Sequence, residues 1–401
     1  MNVSLKFAAV LGYSEYLRFL SVVNSMPPAS HFTLDLRDVH FAHPGGMGPL
    51  ASTVHALKSG GWSFELILPK DAFLAHYFAK AGWLAGITGE PRPPKTKASS
   101  FFPLAQYSDH AQLNPLINRA VDHLASTAVY EPGVIDAIEW SLNEIADNVL
   151  LHAGPGVSGW LQMIAQPKKN LVEFVVVDSG RGITQSLRER FTDLKDDREA
   201  VMKAVEKGVT RDPAIGQGNG LAGTLRIAAA AKGWITIHSG HGLLRAMPGQ
   251  PLYCNLGPQH QGTVVEVTLP TKTPIKVADA LWGHEPVPQL EMRYAQEASG
   301  GVLVRLAEES TGFGNRASAR PIRLKIRNLM VEFPDELVTI DFLAATLVSA
   351  SFADELIARL ANELGVDAFL SRVRLINLSD LARRTVDAVL TQRLGPKARS
   401  E

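Results

Sequence analysis

The sequence has little cysteine, no net charge and no long apolar run. Cys254 is the single cysteine among 401 residues, so no disulfide forms within the chain, which excludes a disulfide-stapled secreted scaffold. Lysine plus arginine and aspartate plus glutamate both number 40, and this balance gives no overall basic field to attract nucleic acid or anionic lipid. No run of about 18 uncharged apolar residues occurs, so we expect no transmembrane helix.

The N-terminus also lacks the pattern of a signal peptide. Its apolar run after Lys6 is interrupted by Glu15 and Arg18, and no small-residue cleavage site follows. Together with the single cysteine, this predicts a cytoplasmic protein. Hydrophobic residues make up 46% of the chain, as in ordinary globular proteins, and the length suggests two or three domains of about 150 residues.

The hydrophobic pattern predicts α/β architecture with an α+β centre. The first and last parts alternate short strands with helices, and IRLKI (322–326) is expected to be one of the strands. The central part opens with two helices, at 111–126 and 134–152, and continues with spaced strands, which favours helices packed on one face of a mixed sheet. The predicted divisions are a small α/β domain at 1–95, a linker at 96–107, the central domain at 108–272, a connector at 273–320, a second small α/β domain at 321–395 and a polar tail at 396–401.

The predicted helix at 134–152 carries a polar stripe beside its apolar face. Glu144, Asn148 and His152 are four residues apart, so they share one edge of the helix. A carboxylate and an amide one turn apart offer the oxygen ligands that suit Mg²⁺. An amphipathic helix with ordinary solvated residues is the simpler alternative, and for this helix alone it would be preferred.

Two glycine-containing motifs follow. The predicted strand LVEFVVVD (171–178) ends in Asp178, whose carboxylate can accept hydrogen bonds from an amino group, and Gly180 and Gly182 would let a flat ring approach the backbone. A turn aspartate is the alternative. Further on, GQGNGL (216–221) precedes a helix, where backbone N–H groups at the positive helix end can cradle phosphate. No strand precedes this string and no acidic residue follows about 20 residues later, so it is not a dinucleotide fingerprint.

In their order along the chain, these motifs resemble those of the GHKL ATPase family, which comprises gyrase, the MutL repair proteins, an Hsp-type chaperone and histidine kinases. The four motifs are Glu144-x-x-x-Asn148, Asp178-x-Gly180-x-Gly182, Gly216-x-Gly218-x-Gly220-Leu221 and Gly262-Thr263. They match the N box, the G1 box, the G2 box and the GT motif of the family over about 108–272. The resemblance implies a Bergerat-type ATP-binding domain, with helices on a mixed sheet, that binds ATP and Mg²⁺.

The resemblance also implies roles for individual residues. Asn148 is the expected Mg²⁺ ligand, with Glu144 acting through water, and Asp178 is the expected reader of the adenine. The residues implied in cofactor binding are Asn148, Asp178, Gly180, Gly182, Gly216, Gly218, Gly220, Leu221 and Thr263. The glycines at 216–220 would form the phosphate loop at the end of a mobile lid at roughly 184–215.

Glu144 stands where hydrolytic members and the anti-sigma-factor serine kinases of the family carry a general base. Histidine kinases usually have asparagine there, and this chain has no H box with a phosphoacceptor histidine, so a two-component histidine kinase is not expected. A slow ATPase or a serine-kinase-like enzyme is implied. A non-catalytic, ATP-dependent protein-interaction switch stays open as the alternative.

The flanking parts resemble STAS domains, the fold of anti-sigma-factor antagonists, and imply a protein partner. At 32–54, His43-Pro44-Gly45-Gly46 stands where antagonists have Asp-Ser-Ser-Gly, so the phosphoacceptor hydroxyl is missing. Residues 337–365 resemble a bacterial STAS-like domain of unknown function, in which Ser351 keeps a hydroxyl at the matching turn. We expect Ser351 to be a helix N-cap, with Asp354 at N3. A homodimer stays open, because many relatives dimerise although no coiled-coil heptads are visible.

A group of histidines raises one further kind of site. His238, His241, Cys254 and His260 could supply zinc ligands, but their spacing matches no standard structural zinc pattern. We expect solvent-facing histidines on a hairpin near the sheet edge instead.

Overall fold

The structure is a computed structural model that describes residues 3–90, 101–211, 218–286, 289–295 and 300–394. It divides into two compact units, the first formed by 1–120 with 137–286 and the second by 121–136 with 287–401. None of the helices in the described part of the chain could span a membrane.

The described residues form thirteen strands. The strands are β1 (Val3–Lys6), β2 (Val10–Leu11), β3 (His31–Asp35), β4 (Phe41–Ala42), β5 (Ser63–Ile67), β6 (Phe101–Tyr107), β7 (Gly159–Gln166), β8 (Leu171–Asp178), β9 (Trp234–Ala246), β10 (Tyr253–Pro270), β11 (Val302–Arg305), β12 (Val338–Asp341) and β13 (Val373–Ile376).

Helices connect most of these strands. They are α1 (Tyr13–Val23), α2 (Pro44–Ser59), α3 (Ala72–Lys80), α4 (Trp83–Thr88), α5 (His110–Ala125), α6 (Val134–His152), α7 (Gly182–Arg188), α8 (Asp197–Ala204), α9 (Gly220–Ala230), α10 (Val277–Ala280), α11 (Gln289–Tyr294), α12 (Leu306–Glu309), α13 (Arg316–Glu332), α14 (Ala350–Ala353), α15 (Arg359–Leu364), α16 (Val366–Arg372) and α17 (Asp380–Leu394). A π-helical turn (Asp354–Ala358) joins α14 to α15.

The first unit contains a five-stranded sheet in the order β6-β7-β8-β10-β9. All of its pairings are antiparallel, so the sheet is not mixed as the sequence predicted, while the predicted arrangement of helices on a sheet is present. The edge strand β6 occupies 101–107 of the stretch predicted as a linker, 96–107, and residues 96–100 of that stretch lie outside the described residues.

The N-terminal part of the first unit forms a parallel sheet, β1-β3-β5, beside the short pair β2-β4. Its residues share one apolar core with the outward face of the five-stranded sheet, including Val175 and Val177 of β8. Successive strand residues point to opposite faces, so Val176 and Asp178 lie on the other face, where they line a cavity. The N-terminal part therefore packs against the back of the sheet that builds the site.

Helix α2 includes the glycines of 45–48, since it starts at Pro44. A Cβ on Gly45 would overlap the carboxyl of Glu266 on β10, and Gly45 N–H donates to Glu173 of β8 over 3.4 Å. Glycine at this position therefore lets the helix start lie directly on the sheet.

The second unit contains the parallel sheet β11-β12-β13. The prediction of a strand at IRLKI was wrong, because 322–326 lies inside helix α13. Alternating basic residues imitated a strand pattern, but Arg323 and Lys325 are buried through ion pairs with Glu355 (3.0 Å) and Glu309 (2.6 Å). Once these charges are paired, the helix can be buried on more than one face.

The helix that begins at α14 is capped by a different serine from the one predicted. Ser349 is the N-cap, and its hydroxyl accepts from the Phe352 N–H over 3.0 Å. The expectation for Ser351 was therefore wrong by two residues: it is the exposed second residue of α14. Its hydroxyl is not used in the cap.

Candidate functional site

A cavity of about 570 Å³ lies on the inner face of the five-stranded sheet. It is walled by α6, by the end of β8, by the middle of β10, by α7 and by the start of α9. The predicted site residues that line it are Glu144, Asn148, Asp178, Gly182, Gly218, Gly220, Leu221 and Thr263. Gly216 lies outside the described residues. Motifs that are up to 120 residues apart in the sequence therefore meet around one cavity.

Helix α6 presents the polar stripe to this cavity. Glu144, Asn148 and His152 all line it, while Ile138 and Leu142 are buried on the apolar side. A Cβ on Gly220 would lie 2.8 Å from Glu144 Oε2 and 3.2 Å from Asn148 Nδ2. The start of α9 therefore approaches the two N-box side chains closely, and the glycine at position 220 makes this approach possible.

The Glu144 carboxyl has a raised pKa. Burial raises the pKa of its carboxyl, the neighbouring Asp147 raises it further, and His284 lowers it. A carboxylate with a raised pKa is a stronger base than an exposed one.

Asp178 ends β8 at the floor of the cavity and is 4% exposed. Burial raises the pKa of its carboxyl to about 7, although backbone N–H groups of Gly180 and Thr263 donate to it and lower it. The bond from Gly180 is 2.8 Å long. The space that a Cβ on Gly180 would need is occupied by Ala153 of the chain after α6, so this glycine packs the G1 turn against α6.

Thr263 supports Asp178 through its backbone, since the two residues are register partners between β10 and β8. Its hydroxyl lies 3.2 Å from Ser239 Oγ, a residue that the sequence analysis missed. Ser239 Oγ donates to Gly262 O and accepts from Ile183 N–H, each over 2.8 Å. It thereby ties β9 and β10 to the start of α7, and no sequence motif indicated this.

The glycine-rich string meets the cavity at the start of α9. Gly208 N–H donates to Gly218 O over 3.1 Å and to Asn219 Oδ1 over 3.2 Å. These bonds join the end of the predicted lid stretch to the phosphate loop. The lid stretch itself contains α7 and α8, and the Asp197 carboxylate of α8 accepts from His241 N–H over 2.7 Å.

A segment after the predicted domain also lines the cavity. Leu281, Trp282 and His284 belong to the stretch that the sequence assigned to a connector of unspecified role. Lys207 lines the cavity too. Single side chains of this kind carry no spacing pattern, so only the folded chain reveals them.

The histidines considered for zinc have other partners. His238 and His260 are fully buried, which makes the expectation of solvent-facing side chains wrong for these two, while His241 is exposed. Their Nδ1 atoms are hydrogen bonded to the hydroxyls of Tyr13 (2.8 Å) and Tyr16 (2.6 Å). Burial lowers the pKa of His238 to about 4 and that of His260 to about 3, so both rings are neutral at pH 7.

Comparison with known families agrees with the motifs. Residues 133–273 match the family model of the histidine kinase-, DNA gyrase B-, and HSP90-like ATPase, and residues 318–381 match that of a STAS-like domain of unknown function. The chain therefore contains a GHKL ATPase domain of the Bergerat fold and a C-terminal STAS-like domain, as predicted. The GHKL domain implies ATP binding. The N-terminal part lies outside both matches, so its STAS-like assignment stays a prediction. A search of curated proteins found no match.

Proposed function

We propose that this chain is a regulatory protein that binds Mg·ATP and either hydrolyses it slowly or transfers its γ-phosphate to a serine of a protein partner. The observation that supports this most is the convergence of Glu144, Asn148, Asp178 and the start of α9 on one cavity. Under this proposal the Asp178 carboxylate accepts a hydrogen bond from the adenine amino group. The N–H groups at the start of α9 bind phosphate oxygens.

The donor set fits a hard cation. Asn148 offers an amide oxygen and Glu144 a carboxylate beside it, and a magnesium ion held there would neutralise charge on the phosphate oxygens. The oxygen of the attacking water or serine bonds to the γ-phosphorus, and Glu144 takes the proton from that oxygen. The bond between the γ-phosphorus and the oxygen that leaves with ADP breaks. The raised pKa of Glu144 suits this proton transfer.

The alternative function is an interaction switch in which ATP is bound without turnover. Binding would then order the stretch at 184–215 and change the exposure of a partner surface. In both functions the proposed docking modules are the STAS-like domains at 1–95 and 321–395. The ATP-binding domain lies between them at 108–272. A homodimer and a cytoplasmic location are part of the proposal.

Single-turnover assays distinguish the two functions. Wild type and Glu144→Gln are mixed with substoichiometric γ-labelled ATP and Mg²⁺, and released or transferred phosphate is followed. Glu206→Gln, an exposed carboxylate outside the cavity, is the matched control. Loss of turnover in Glu144→Gln alone, with ATP affinity retained, supports the enzyme. No turnover in wild type that binds Mg·ATP supports the switch, and absence of nucleotide binding contradicts both.

A further inference from the structure

The segment after the ATPase domain is fastened to helix α9. Arg226 of α9 donates through Nε to Ala280 O over 2.6 Å and through a terminal nitrogen to Asp279 O over 3.0 Å. Leu281 is buried, and a Cβ on Gly223 would lie 2.8 Å from its side chain. The segment at 277–284 is therefore a built wall of the cavity.

Trp282 in this wall has two cations over its ring. The Lys207 ammonium lies 4.8 Å and the Arg226 guanidinium 4.9 Å from the ring centroid. The backbone φ of Trp282 is +56°, in the left-handed region that non-glycine residues rarely adopt. Such a conformation persists where surrounding contacts enforce it, and the Arg226 bonds to the carbonyls of Asp279 and Ala280 fix the chain just before Trp282.

Lys207 is held next to the phosphate loop. It directly precedes Gly208, whose N–H donates to Gly218 and Asn219. Within the described part of the chain, no carboxylate lies within ion-pairing distance of the Lys207 ammonium, whereas Lys203 pairs with Glu206 over 2.6 Å. Lys207 is thus an ammonium at the phosphate end of the cavity, with an aromatic ring as its partner.

We propose that Trp282 is a positioning residue that holds Lys207 at the phosphate end of the cavity and so makes the site prefer a nucleoside triphosphate to a diphosphate. The inference rests on the proposed function, since it requires ATP in this cavity. An ammonium kept on a ring face loses little further freedom when it meets an anion, and the γ-phosphate supplies the additional negative charge. The preference depends on Lys207, and Trp282 acts through it.

Calorimetric titration of Mg·ATP and Mg·ADP tests this proposal. Trp282→Ala should weaken ATP binding about tenfold and change ADP binding less than about twofold, a loss within the range of a partly desolvated cation–π contact. Trp282→Phe should restore most of the preference, because it keeps an aromatic face. Lys203→Ala is the matched control, since Lys203 lies over Phe191 outside the cavity, and both affinities should stay unchanged.

A double-mutant cycle separates positioning from packing. Lys207→Ala should lower the ratio of ATP to ADP affinity as Trp282→Ala does, and the double variant should lower it no further. Equal weakening of ATP and ADP in Trp282→Ala, or an unchanged ratio in Lys207→Ala, would overturn the inference while leaving ATP binding intact. If Trp282→Ala does not fold, Trp282→Phe and Lys207→Ala decide by the same ratio. Wild type that binds neither nucleotide overturns both this inference and the proposed function.

Discussion

Asp178 has two opposing requirements at the residue scale. Under the proposed function the adenine amino group needs an ionised Asp178 carboxylate as its acceptor, whereas burial raises the pKa of Asp178 to about 7 and favours the protonated form. The two backbone donors, Gly180 and Thr263, offset only part of the cost of burial. Protonation of this one carboxyl should therefore compete with nucleotide binding near neutral pH.

We expect ATP affinity to increase about tenfold between pH 6 and pH 8, as the ionised fraction of Asp178 rises through its pKa. Asp178→Asn should bind ATP more weakly, lose selectivity against GTP, and lose this part of the pH dependence. Calorimetry of both proteins across this range checks the expectation, because ionisation of ATP itself is common to both. Equal pH profiles and unchanged affinity would remove Asp178 from the adenine site.

Glu173, which is buried, and Glu266, which is half-buried, form a carboxyl pair on the back of the sheet, facing the start of α2. Burial, and then the charge of Glu173, raises the pKa of Glu266 to about 8, and Arg245 lowers it. Protonated Glu266 then donates to the Glu173 carboxylate, which also accepts from Gln166 Nε2 over 3.3 Å. His43 Nδ1 lies 3.7 Å from Glu173. The charge of Glu266 is also one of the causes, after burial, that raise the pKa of the Tyr13 hydroxyl.

The pair predicts how stability depends on pH. The pKa of Glu266 is higher in the folded chain than in the unfolded chain, so its contribution to stability is fully present below the unfolded value and is lost as pH rises through about 8. Glu266→Gln should therefore show a shallower fall in the free energy of unfolding between pH 6 and pH 9. Denaturant unfolding of wild type, Glu266→Gln and the exposed control Glu90→Gln measures this. Parallel curves for wild type and Glu266→Gln would contradict the shared proton.

At the scale of elements, residues 184–211 of the predicted lid stretch are described, and 212–215 lie outside the described residues. They include most of α7 and all of α8, and α8 is tied to β9 through Asp197 and His241. Arg190 donates to Thr210 O over 3.0 Å, within the same stretch. Under the proposed function, nucleotide binding would reorganise bonds of this kind.

We expect hydrogen exchange in 184–215 to slow when Mg·ATP binds, because the stretch would close over the phosphates. Asn148→Ala, which removes the proposed metal ligand, should abolish most of this protection at the same ATP concentration. Exchange mass spectrometry measures both. The α2 peptide at 44–59, on the back of the sheet, is the internal control and should not respond. Exchange in 184–215 that is insensitive to ATP would contradict a nucleotide-dependent lid.

The sequence predicted the elements whose pattern is local and periodic. Helix α6 with Glu144 and Asn148 and strand β8 with Asp178 agree with their hydrophobic periods or motif spacing. Helix α13 was missed because its buried basic residues have distant carboxylate partners, which no local pattern encodes. Trp282 and Ser239 were missed for the same reason: their contacts are with residues 20 or more positions away.

At the scale of the whole molecule, the starts of α2 and α14 differ in exposure. Both were compared with the phosphoacceptor turn of an antagonist. In the first unit, Pro44, Gly45 and Gly46 are buried, so the turn is closed to a kinase as well as lacking a hydroxyl. In the second unit, Ser351 is exposed. Asp354, which would oppose a phosphate there, is paired with Arg316 (2.8 Å) and Arg393 (2.6 Å). Local charge therefore tolerates a phosphate on Ser351.

The proposed docking role of the C-terminal domain agrees with its exposed apolar side chains. Leu343 and Leu347, in the loop between β12 and α14, are 70% and 68% exposed, and Leu381 at the start of α17 is 57% exposed. Where large apolar side chains form an exposed patch, they mark surfaces that meet other proteins. We therefore expect the C-terminal domain to bind a partner and to stay unmodified when the chain alone is incubated with Mg·ATP.

Intact mass and peptide mapping after that incubation check this expectation. The 43–46 turn should carry no phosphate in any variant, since it offers neither a hydroxyl nor access. A phosphate on Ser351 that disappears in Asn148→Ala would contradict the docking interpretation and would show the chain to be a kinase of its own C-terminal domain. Ser351→Ala is the control for site assignment: it should lose only that phosphate, because the cap bond belongs to Ser349 and the helix start keeps its hydrogen bond. The other outcome is a chain that stays unmodified, binds ATP and shows slower hydrogen exchange in 184–215. Any serine that receives the γ-phosphate would then belong to the partner.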